Sequence, residues 1–240
     1  MNGQPDYVET VRLDPPGCIA EGWNLAKDQY GLFLGVTVVG SLLAGIVPFG
    51  IIMGPMYCGI FLAYLMAMKG QPIEFATLFK GFDYFIESLV VTILLVIATA
   101  AVLAPLAIVM VIIIAVGAGL GESTDSGPLA ALVIVPSVVM LVVVMAVFSA
   151  IVYGIWFFSY PLLVERNMDA FGAMKLSART VWANKWGILG LMLINWLLAS
   201  ILALFCYIPA LLYLPVMFGS FAVAYRRMFP ELAPPPPPEM

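Results

Sequence analysis

Histidine is absent from this 240-residue chain, and charge of either sign is scarce. Without histidine there is no His-ligated metal or haem, no Ser-His or Cys-His catalytic pair and no imidazole proton relay. Charged residues make up 10% of the chain, against roughly 25% in soluble domains; hydrophobic residues make up 63%, and mean hydropathy is +1.08. Those values exclude a water-soluble globule and indicate a polytopic integral membrane protein. The three cysteines, Cys18, Cys58 and Cys206, are far apart and read as small apolar packing residues, not as a redox pair or metal site. No Gly-rich phosphate loop follows a strand. Within the apolar stretches there is no Asp, Glu, Lys or Arg. That removes the buried charge on which ion-driven carriers depend and the paired carboxylates of an acid–base enzyme. Glu87 and Glu165 stand at the ends of these stretches and read as headgroup-level charges. No enzymatic activity, cofactor, metal or nucleic-acid partner is expected.

What remains is long apolar sequence cut by turn signals. About 20 apolar residues cross a bilayer as a helix. Six spans can be drawn, near 31–47, 51–68, 88–117, 129–160, 187–207 and 210–225, with breaks at Pro48-Phe49-Gly50, at Gly121 to Pro128 and at Ile208-Pro209. On that map all ten Lys and Arg fall on one side. The three opposite turns carry only Glu122 and Asp125. Excess basic charge marks the cytoplasmic side, so both termini are expected there. The stretch "IVPFGIIMGP" then reads as a turn followed by a prolyl start to the returning helix. The N-terminal "MNGQPDYVETVRLDPPG" has no basic and apolar signal-peptide pattern and is expected to be retained.

Before each outward span lies an amphipathic stretch. Ile19, Trp23, Ala26 and Tyr30 share one helical face; Phe75, Leu78, Phe79, Phe82, Phe85 and Ile86 share another; Phe171, Met174, Ala178, Val181 and Trp182 share the third. Each suits a helix in the cytoplasmic headgroup layer. The expected fold is all-α: six transmembrane helices as three hairpins, each preceded by an interfacial helix, in units 18–69, 73–164 and 169–229. A cytoplasmic segment, 1–17, precedes them, and a Pro-rich, polyproline II tail, 230–240, follows. Units one and three match more closely, "QYGLFLG" opening one hairpin and "KWGILGL" the other. Their common orientation makes a parallel repeat rather than an inverted one.

The segments "EFATLFKGFDYF" and "AMKLSARTVWANKWG", each ahead of a long apolar hairpin, resemble a broad group of bacterial polytopic membrane proteins of unknown function. That group is related to the membrane domain found beside some glycerophosphodiester phosphodiesterases. The resemblance runs from about Gly22 to Pro230 and implies six helices in a bacterial inner membrane. It carries over no catalytic residue, and the 240 residues contain no phosphodiesterase domain.

Arg166, Lys175, Arg179, Lys185, Arg226 and Arg227 are candidates for contact with anionic lipid, with topology determination as the plain alternative. Asn195, the most polar residue within a span, is a candidate for an interhelical hydrogen bond or a ligand contact. Small residues at helical spacing, among them Gly31, Gly35, Gly40, Gly45, Gly54 and Gly59, predict close helix packing. The middle pair is overlong, about 45 Å per helix against roughly 30 Å of hydrocarbon, and Pro105 and Pro136 are candidate kinks. Together these features point to a non-catalytic structural subunit, scaffold or homo-oligomer surrounded by membrane lipids. A passive conduit for lipid or another apolar molecule is the alternative.

Overall fold

The computed structural model describes residues 11–46, 50–123, 127–205 and 207–230, with side chains given except at 117–133. The described residues form helices α1 (Pro15–Lys27), α2 (Tyr30–Ile46), α3 (Met53–Met68), α4 (Phe85–Ser123), α5 (Gly127–Arg166), α6 (Ala170–Ala183), α7 (Lys185–Ala203) and α8 (Ile208–Met228), with a 3₁₀ segment, Phe75–Tyr84, leading into α4. No strand occurs among them. Four helices are long and apolar enough to cross a membrane: α4 with its 3₁₀ lead, α5, α7 and α8. A fifth is added if α1 and α2, which meet at 108°, count as one broken span. At 17 and 16 residues, α2 and α3 are shorter. The chain is thus an all-helical protein of membrane type.

Helix α3 sits at the centre. It is buried at Gly54, Pro55 and Met56 and again from Cys58 to Ile60, and it packs on α2, the 3₁₀ segment, α4, α5 and α8. Aromatic rings fill the contact with α5 and α8: Phe157 lies 4.7 Å from Phe221 and 5.4 Å from Phe61 and Phe218, and Tyr57 lies 5.2 Å from Trp156. Two tyrosines tie the first helices to α8, Tyr30 donating to the Leu212 carbonyl and Tyr64 to that of Pro215 at 2.7 Å. In α4 and α5 the hydroxyls of Thr92 and Tyr160 bond each other at 3.0 Å, satisfying two groups that hydrocarbon would leave unpaired.

Several boundaries differ from the sequence reading. Helices α4 and α5, at 39 and 40 residues, exceed 88–117 and 129–160 and run as continuous helix through Pro105, Pro136 and Pro161. Helix α7 ends at Ala203 and α8 already begins at Ile208, so the expected break at Ile208-Pro209 lies inside a helix: Tyr207 takes a left-handed φ of 59°, and Pro209 lies in the first turn of α8, where its missing N–H costs no helical bond. Gly50 also takes a left-handed φ, 65°, before α3; Pro48 and Phe49, like Cys206 and the tail beyond Pro230, lie outside the described residues.

The second amphipathic stretch is not a separate α-helix. Three residues per turn align side chains at i and i+3. Leu78 and Gly81 therefore face α3 together, while Phe79 and Phe82 point outward. The approach is close: a Cβ on Gly59 would stand 1.9 Å from the Leu78 carbonyl oxygen, and one on Gly81 2.0 Å from that of Pro55.

The first and third stretches likewise turn bulky aromatic residues away from the rest of the protein. In α1 the buried residues are Cys18, Gly22 and Ala26, and Trp23 is exposed. A Cβ on Gly22 would reach 2.5 Å from the Ser220 backbone nitrogen of α8. In α6 the buried residues are Ala170, Ala173, Ser177, Thr180 and Val181, while Phe171 and Trp182 are 67% and 62% exposed. Large apolar residues mark a contact face when water is the competing solvent. In a membrane, close packing falls to small residues, and bulky ones suit lipid. The first hairpin divides in the same way, since Gly40, Gly54 and Gly59 meet neighbouring elements whereas Gly31 and Gly45 face open space.

Candidate functional site

Most of the candidate residues lie at the helix ends carrying the basic charge, in two clusters. The first is built by α6. Its N-terminus holds two carboxylates: Asp169, the N-cap, accepts from the Gly172 N–H at 3.2 Å, and Glu87 of α4 accepts from the Ala170 N–H at 3.0 Å. Both satisfy donors that a helix start leaves unpaired and complement its dipole. Ser177 donates to the Ile155 carbonyl of α5 at 2.7 Å, which fixes the rotation of α6 about its axis. At the far end Asn184 donates to the Thr180 carbonyl at 3.0 Å and accepts from the Val11 N–H at 2.8 Å. Beside this joint lies an open groove of about 490 Å³ between Val11–Leu13 and Trp186–Gly187.

With that rotation fixed, Phe171, Lys175, Arg179 and Trp182 emerge on one exposed face. Lys185 extends it, its Nζ lying 4.7 Å from the centre of the Trp182 ring and 5.9 Å from that of Trp186. Trp186 is 79% exposed. No acidic residue occurs within α6.

The second cluster joins α3, α5 and α8. Glu165 accepts from Arg226 at 2.9 Å and pairs with Lys69 at 3.1 Å; Arg227 pairs with Glu21 of α1 at 2.7 Å; and the Arg166 guanidinium lies 5.5 Å from the centre of the Phe229 ring. Glu165 is therefore ion-paired between elements, and Glu87 caps α6. Neither role was legible in the sequence, because both partners come from distant elements. Of the six basic candidates, Lys175, Arg179 and Lys185 share the α6 face. Arg166, Arg226 and Arg227 belong to the second cluster, where carboxylates or an aromatic ring already face them.

The chain matches no family model, no curated protein and no solved structure.

Asn195 lies apart from both clusters. It is buried in α7, donates to Ser220 at 3.2 Å and accepts from the Tyr213 hydroxyl at 2.7 Å, so the α7–α8 contact holds a polar knot. Cys18 and Cys58 are buried free thiols. Among the described residues no group of three His, Cys, Asp or Glu lies close enough to hold a metal ion.

Proposed function

We propose that this protein is a non-catalytic membrane component, a structural subunit or homo-oligomeric scaffold of the bacterial inner membrane. Its six helical passes would be α2, α3, α4, α5, α7 and α8, with both termini cytoplasmic. The positive-inside distribution of all ten Lys and Arg supports this orientation. The arms α2 and α3, about 25 Å each, are short but sufficient for nearly upright helices.

One observation carries the assembly reading. No described side chain from Val96 to Ala150 is buried, although α4 and α5 pack on each other. Between Glu87 and Glu122 the chain runs uncharged for about 34 residues, about 50 Å of helix. An upright bilayer covers roughly 30 Å of it. Covering all of it by tilt alone requires more than about 50°, past the usual limit of about 40°. The excess Ile- and Val-rich surface needs another apolar surface against it, and a second copy or a partner subunit supplies one.

Native mass spectrometry of protein taken in membrane patches, without detergent extraction, tests this. A defined oligomer or heteromeric complex is expected. It should be lost when 106–117 is deleted. A monodisperse monomer overturns the assembly reading, and stoichiometric lipid on that monomer would favour the conduit.

A further inference from the structure

We propose that the surface formed by Phe171, Lys175, Arg179 and Trp182 on the exposed face of α6, with Lys185 and Trp186 at the start of α7, is a binding site for anionic phospholipid headgroups. The proposal is independent of whether the protein assembles.

Connectivity places this face. Helix α5 ends at Arg166 and α6 begins at Ala170, while α7 starts at Lys185, immediately after the Asn184 joint. Helices α5 and α7 both have the length and composition of membrane spans, so α6 is tethered at each end to a span terminus. About 21 Å of helix held in that way stays at headgroup depth. Its small-residue face is occupied by α5, with Ser177 bonded to the Ile155 carbonyl. The opposite face is therefore the one turned to the surroundings.

Composition names the occupant. Three cations stand among three exposed aromatic rings, with no acidic residue within the helix. Indole rings favour the headgroup layer, where an apolar body and an N–H donor are both accommodated. Lys185, stacked on Trp182 and Trp186, is held at the start of α7. Lysine and arginine at that depth attract phosphate and anionic headgroups, each cation worth about fivefold in association at low salt. A water-facing basic helix would not need Phe171 and two exposed indoles on the same side as its charges.

The full chain is reconstituted in phosphatidylcholine bilayers containing either phosphatidylglycerol or phosphatidylcholine brominated in the acyl chains, and tryptophan quenching gives the relative association of the two lipids. Expected is a several-fold preference for phosphatidylglycerol that weakens with salt and falls toward one in K175Q/R179Q, whose side chains are exposed. K175R/R179K should retain the preference, and W182F/W186F should remove the headgroup-dependent part of the quenching. Equal quenching by both lipids, or a preference unchanged in K175Q/R179Q, overturns the proposal.

Discussion

Between Phe85 and Leu95, α4 buries Ser88, Val91, Thr92 and Leu95; from Val96 to Val116 the same helix buries no side chain. Helix α5 mirrors it, exposed or half-buried from Ile134 to Tyr153 and then buried at Gly154, Trp156 and Phe158 to Val164. The two halves differ in composition as well as burial. The packed half contains hydroxyls, glycine and rings: Thr92 meets Tyr160, and the Gly54 backbone of α3 comes so close to Ser88 that an added Cβ would lie 2.7 Å from its carbonyl oxygen. The unpacked half is mostly Val, Ile, Leu and Ala. In a hydrocarbon solvent, apolarity does not select what is packed. Small size and polar pairing do.

That contrast can be broken most forcefully at its tightest point. Gly59→Ala puts a Cβ where the Leu78 carbonyl oxygen lies 1.9 Å away, and backbone on both sides must move. A loss of about 3 kcal/mol or more, or failure to accumulate folded protein, is expected. Thermal unfolding followed with a thiol-reactive dye, which gains access to Cys58 on unfolding, gives the readout. Glu165→Ala comes next. Lys69 and Arg226 lose their shared carboxylate in a half-buried setting, and about 2 kcal/mol of destabilisation is expected by the same assay. Asn195→Leu, which strips Tyr213 and Ser220 of a partner, should cost about 1 kcal/mol, with Tyr213→Phe smaller and non-additive with it in a double-mutant cycle.

The smallest effects are expected at the exposed positions. Gly45→Ala, with open space around its Cβ, and Ile112→Ala, on the unpacked half of α4, should each change the unfolding midpoint by less than about 0.5 kcal/mol equivalent. Ile112→Ala adds a second reading. If the distal hairpin forms an interface, oligomer dissociation shifts while the unfolding of the packed half does not.

Much of the architecture was legible. The absence of charge from long stretches predicted spans, and turn residues placed most breaks within a few positions. Pro209 misled because proline serves a helix start as readily as a turn. The overlong middle pair was visible as a run of Val and Ile. The apolar faces with Trp23, Phe79 and Trp182 were read as belonging to headgroup-layer helices, while the residues that pack on the rest of the protein, Gly22, Gly81 and Ala173 among them, gave no such signal. The α6 candidates Lys175, Arg179 and Lys185 could be named from charge alone. Their grouping with three aromatic rings depended on which side of α6 meets α5.

Composition by itself determined that this chain is helical and of membrane type, because apolar residues in such runs, without charge, satisfy their backbone groups in hydrocarbon only as helices or closed barrels, and the long, non-alternating runs select helices. The tertiary structure alone decided which partners the few polar groups take. Glu165 finds Lys69 and Arg226, Glu87 caps α6, and Asn195 meets Ser220 and Tyr213. Each pairing joins residues from different helices. Local periodicity records only which face a residue occupies, and helix rotation is set by the small residues at the contact.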